Sequence, residues 1–157
     1  MLIQLCYASR RVEREHDLVR DLSDILEKSS VFNHIHDIHG VLYYAEGIYF
    51  QCLEGEQTAV EALFQTITQD LRHHQIHRFA DRRIEHFQFK KWSMKYVQPH
   101  SKISKFFNQL GIMQFLPQQL NPLQLGEFLE VLLKIQKTQH KARARVALND
   151  EAEQNKR

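Results

Sequence analysis

Three polar side chains fall where apolar ones would be easier to bury. Tyr7 shares a strand face with Ile3 and Leu5 in "LIQLCYAS", and Gln51 sits in the run "GIYFQCLEGE" on a face with Tyr49 and Leu53. Asn33 follows Val31 and Phe32 at the end of a helical stretch. A phenol carries one O–H donor, while a glutamine amide must satisfy an oxygen at one end and two N–H groups at the other. Left without partners, a buried amide costs about 1–3 kcal/mol. If the first and third strands are neighbours, Tyr7 and Gln51 are hydrogen-bonded across the sheet, beneath the helices. The plainer reading makes Tyr7 a core tyrosine with a satisfied hydroxyl, and Asn33 a residue that caps or follows the helix.

The elements that must position these groups are legible from periodicity. Residues 2–8 alternate Ile3, Leu5, Tyr7 against Leu2, Gln4, Cys6, Ala8, apolar enough on both faces for a central strand. Leu18, Leu22, Ile25 and Leu26 then mark an amphipathic helix ending near Ser29 or Ser30. "VFNHIHDIHG" reads as a polar connector, and "VLYYAEGIYFQCLEG" as two strands joined at Ala45–Glu46–Gly47. Val60, Leu63, Phe64, Ile67 and Leu71 predict a second helix ending near "RHH", and "HRFADRRIEHFQFKKWSMKYV" two short strands. The order βαββαββ predicts an α+β, ferredoxin-like sandwich with both helices on one sheet face. After Pro99 the chain reads as two helices separated by a turn with Pro117 and Pro122. They are expected on the other sheet face, which would otherwise leave a large apolar patch. The division is then a domain over 1–97, a helical extension over 98–140 and a polar tail over 141–157.

Composition excludes several classes. The 157 residues suit one domain with an appendage, and a 43% hydrophobic, 25% charged chain is an ordinary globular one. Cys6 and Cys52 both lie in apolar runs and read as core thiols of a cytoplasmic protein, with neither a signal peptide nor an apolar run of membrane-spanning length. The formal charge of +2 conceals a balance of +4 from Lys134 onward and −2 before it, so the basic surplus belongs to the C-terminus.

Other chemistries find little support. The clusters "HIHDIH" and "HHQIH" lack the closed four-ligand set of a zinc site and read as solvated loop histidines, so no metal is expected. Ser9, Ser29, Ser30 and Cys52 have no nucleophile-elbow pattern, and Glu54 and Glu56 are read as favouring the start of the next helix. Arg10, Arg11 and Arg14 lack the glycine cradle of an acylphosphatase-like phosphate loop, and no enzyme is expected. The aromatic–basic pattern of an RNA-binding sheet is absent, and "KARARV" reads as a solvated helix end, so direct nucleic-acid binding is not expected.

Over residues 1–97 the chain resembles the BLUF family of flavin-dependent blue-light sensors. The matching pieces are "LCYAS" with Tyr7, "DLSDILEKSSVFN" with Ile25 and Asn33, and "FQCLEGE" with Gln51. "ITQDLRHH", with Ile67, Asp70, Arg72 and His73, and "KKWSM", with Trp92 and Met94, complete the set. The resemblance implies FAD as cofactor, Tyr7 as electron donor to the excited flavin and Gln51 as the amide that rearranges by rotation or tautomerisation. Asn33 would hold the polar edge of the ring and Ile25 and Ile67 would sandwich it. Asp70, Arg72 and His73 would lie toward the ribityl and phosphate end, and Trp92 and Met94 would relay the change. It implies a downstream regulatory protein, such as a transcriptional regulator, as partner; a homo-oligomer stays open. The family's usual "GITG" reads "DIHG" here, with Asp37 for the first glycine and His39 for the threonine, and Phe32 stands at an often polar position.

Overall fold

The computed structural model describes residues 1–13, 18–90 and 94–137. Strands β1 (Leu2–Arg11), β2 (His39–Ala45), β3 (Ile48–Glu56), β4 (His73–Arg78), β5 (Arg82–Arg83) and β6 (Lys95–Val97) form one sheet. Its order is β4-β1-β3-β2-β6, with β5 also paired to β1. All pairings are antiparallel except β2 with β6. Helices α1 (Leu18–Ile35) and α2 (Gln57–Thr68) supply the crossovers. The fold is therefore the ferredoxin-like α+β sandwich the pattern predicts, with a short extra strand, β5.

Each face of the sheet has its own core. Ile3, Leu5, Tyr7, Leu42, Tyr49 and Leu53 pack with Leu22 of α1 and Val60 and Phe64 of α2. Cys6, Ala8, Val41, Tyr43, Phe50 and Cys52 face the other way, against α3 (Ser101–Gln109) and a helix over 122–137, here α4. Phe128 of α4 lies 4.9 Å, centroid to centroid, from Phe50 and 5.4 Å from Phe107 of α3. The one-residue alternation of a strand thus gives both layers their apolar surface from the same chain segments.

Local chemistry sets the boundaries. Glu46 and Gly47, at φ 52° and 79°, make the two-residue turn between β2 and β3, a mirror-image turn that matches strand twist. Gly111 at φ 77° closes α3, with the Ile112 N–H reaching back to the Phe107 carbonyl. Asn121 and Gln124 bond each other's backbone N–H reciprocally at the start of α4, with Pro122 in its first turn.

Four boundaries differ from expectation. Helix α3, expected to continue toward Pro117, ends at Gln109 because Gly111 takes a left-handed conformation. Helix α1 runs past Ser29 and Ser30 to Ile35, because its inward stripe continues by steps of three and four through Leu22, Leu26, Ser29 and Asn33, and Asn33 is fully buried. Helix α2 stops at Thr68, leaving Leu71 75% exposed beyond it. His74 and His77 stand exposed in the edge strand β4 instead of in a loop, and His73, which the resemblance sets toward the flavin, begins the same strand. Residues 138–157, including the tail and its basic segment, lie outside the described residues, as do Arg14 and Trp92.

Candidate functional site

Antiparallel register places Tyr7 directly opposite Gln51 on neighbouring central strands. The Tyr7 hydroxyl donates to Gln51 Oε1 at 2.5 Å, and both side chains are buried. At the other end of the amide, Nε2 donates to the Met94 thioether sulfur at 3.6 Å, a weak acceptor. These contacts fix which way the amide points. A hydroxyl can give or take a proton, but a thioether has none to give, so nitrogen must face Met94 and oxygen must face Tyr7. Burial, then the charges of Asp70 and Tyr49, push the Tyr7 phenol far above its ordinary 10.0, so it holds its proton.

Above this pair, α1 and α2 leave a cavity of about 100 Å³. Ile25 and Ile67 line it from the two helices, with Leu42, Tyr7, Tyr49 and Gln51 from the sheet. Lys28, Ser29, Asp70, Arg72 and His73 form its polar part. Lys28 and Ser29 were missed from sequence, although they stand three and four residues beyond Ile25, on its own helix face.

The charged end is internally tied. Arg72 donates to Asp70 Oδ2 and Asp24 Oδ2, each at 2.6 Å, joining the segment after α2 to α1. Burial raises the Asp70 carboxyl, yet its bonds from Arg72 outweigh this and hold it below 3.8. His73 is pinned between Ser9 Oγ at its Nδ1 and the Ile67 carbonyl at its Nε2, both 2.7 Å away. Of the residues singled out from sequence, the cavity gathers Tyr7, Ile25, Gln51, Ile67, Asp70, Arg72 and His73, with Met94 behind Gln51. Asn33 is buried on α1 but is not in the lining, and Trp92 lies outside the described residues. A larger hollow of about 620 Å³ lies between β2, β6 and α3, and contains none of these polar residues.

The family model for BLUF, sensors of blue-light using FAD, matches residues 2–95. The chain belongs to the BLUF family. Among solved structures it is similar to BlsA in its photo-activated state at 47% identity, TM-score 0.82, over 85% of this chain and 95% of that one. BlrB, described as a BLUF protein in its dark state, matches at 33% identity and TM-score 0.61, over 69% and 80% of the two chains. A bacterial light-regulated adenylyl cyclase matches at 29% identity and TM-score 0.64, over 71% of this chain and 33% of that one. Comparison with curated proteins finds no match. As a BLUF chain it is a flavin-dependent blue-light sensor, and no described helix is long and apolar enough to cross a membrane.

The residues present fit a flavin. Paired isoleucines suit the faces of a flat ring, and a charged rim suits a phosphate-bearing tail. Among the described residues Gln51 Nε2 has only the weak sulfur acceptor, so its second N–H is available to an acceptor edge. Pockets for ligands of this size measure about 300–1,000 Å³, so loading must widen the gap between α1 and α2.

Proposed function

We propose that this chain senses blue light through non-covalently bound FAD, and signals to a partner protein by a hydrogen-bond change at Gln51. The observation that carries the reading is the line Tyr7 Oη–H···Oε1 Gln51 Nε2–H···Sδ Met94, which ends on the segment leading into β6. Ile25 and Ile67 flank the ring. Asn33, one turn beyond Ser29, meets its polar edge as the helices part. Asp70, Arg72 and His73 lie toward the ribityl and phosphates, aided by Lys28.

The flavin, when bound, supplies light absorption and accepts an electron. Tyr7 is the donor, and its phenolic proton crosses the 2.5 Å bond to Gln51 Oε1. The amide then turns over, or changes tautomer by releasing an Nε2 proton from the side away from Met94, where the bound flavin would supply the acceptor. Turned over, it sets Oε1 against the Met94 sulfur, acceptor against acceptor; a tautomer change removes one N–H from Nε2. Turnover takes the N–H away from Met94, while in the tautomer the single N–H left on Nε2 has to serve Met94 and any second acceptor. A buried hydrogen bond gained or lost shifts an equilibrium by about 1–3 kcal/mol, roughly five- to 150-fold.

Residues 1–97 act as the sensor and 98–140 as the output extension, with Trp92 and Met94 as the relay. The chain works by binding, and a cytoplasmic regulatory protein, such as a transcriptional regulator, is the partner; two free thiols support that compartment. Gln51→Leu tests the reading: the variant should bind FAD and show no reversible red shift after a blue pulse. A wild-type photocycle in that variant would refute it.

A further inference from the structure

The photochemical pair leaves one wholly buried acid unexplained. Glu54 has no exposed surface and lies three residues from Gln51 on β3, on the opposite face of the sheet. Its Oε2 accepts the backbone N–H groups of Gln88, at 2.8 Å, and Phe89, at 3.1 Å. Its Oε1 accepts Gln4 Nε2 at 2.8 Å. Gln4 Nε2 also reaches Gln88 Oε1 at 3.1 Å, and Gln88 Nε2 donates to Glu130 Oε1 of α4 at 3.0 Å. Burial raises the Glu54 carboxyl, while the Phe89, Gln4 and Gln88 donors pull it down.

A buried carboxylate is a costly way to fill a core position, and all three of its partners donate. What those partners belong to gives it a use. Phe89 is fully buried in the core beneath α3 and α4, and the Phe87 ring stands 4.2 Å from the ring of His39. Met94, five residues after Phe89, packs in the core of the other face. A Cβ on Gly40 would come within 3.3 Å of Met94 Cε, so the methionine has little room beside β2. Between β5 and β6, Gln88 and Phe89 are therefore held to β3 by Glu54 on one face, and Met94 by Gln51 on the other.

We infer that Glu54 is a positioning residue for the light response: it fixes the segment that presents Met94 to Gln51, and through Gln88 and Glu130 ties that segment to α4. The inference rests on the proposed Gln51–Met94 switch. Displacement of Met94 pulls on a segment whose other end is pegged, and the strain reaches α4 through the Gln88 side chain. His39, which departs from the family pattern, braces the same segment through Phe87.

The test compares FAD-loaded wild type, Glu54→Gln, Glu54→Asp and Glu130→Ala for dark-recovery rate and for light-dependent hydrogen exchange of residues 122–137. Glu54→Gln should keep flavin and red shift, change the recovery rate threefold or more, and lose the light-dependent exchange change in α4. Glu54→Asp should restore part of both. Glu130→Ala should recover at the wild-type rate and lose at least half of the exchange change. Wild-type recovery and exchange in Glu54→Gln, with only a lower melting temperature, would overturn the inference while leaving the photochemical reading intact. If Glu54→Gln does not fold, an unaltered exchange change in Glu130→Ala overturns it instead. Absence of any red shift in wild type removes the reading and the inference together.

Discussion

In the proposed function, Tyr7 and Gln51 are two ordinary side chains made into a switch by what surrounds them. The phenol is kept neutral by burial, and the amide is oriented by a sulfur that cannot donate. Met94→Leu keeps nearly the same volume and removes the acceptor, so the amide should lose its orientational preference at a stability cost below about 1.5 kcal/mol. Dark recovery, followed by absorption, should change several-fold, and an unaltered rate would show that the sulfur does not select the amide's orientation. The Tyr7–Gln51 contact was readable from sequence because period-two alternation puts each residue on the helix-covered face, and the ferredoxin-like order sets β1 beside β3. The sulfur was not, because Met94 reaches Gln51 from an irregular segment with no periodicity to read.

At the scale of elements, one sheet carries two cores, and ion pairs tie the helices at the site. Asp24, Glu61 and Asp70 are all held below their ordinary values, chiefly by Lys28 for Asp24, by Arg78 for Glu61 and, against its own burial, by Arg72 for Asp70. A depressed folded value means stability present above the ordinary carboxylate range and lost as pH falls through the folded value. The melting temperature should therefore fall steeply below about pH 4. Glu54, raised by burial, works in the opposite direction, so the profile is read in Glu54→Gln, where a flat course from pH 6 to pH 3 would mean the ion pairs contribute nothing. On the other face, Phe128→Ala removes a fully buried ring packed on Phe50 and Phe107, and should cost about 3–5 kcal/mol in chemical denaturation. The length of α1 escaped sequence reading because Ser29 and Ser30 look like an ending. Its tertiary stripe runs on to Asn33, and packing overrides weak propensity.

For the whole molecule, the sheet and the segment between β5 and β6 join the helix-covered face that holds Gln51 to the C-terminal helices. That segment is also where sequence legibility ends: its contacts to Glu54 are backbone N–H groups, which no side-chain pattern announces. Light should therefore alter protease or exchange protection of α3 and α4, and identical patterns in dark and light would contradict transmission by this route. The most direct measurement is the absorption spectrum of the FAD-loaded protein in darkness and after a blue pulse, for wild type and Tyr7→Phe. Wild type should show a small red shift that relaxes, and Tyr7→Phe a flavin spectrum without the shift. A wild-type spectrum unmoved by light, or a Tyr7→Phe protein that shifts as wild type does, would contradict it.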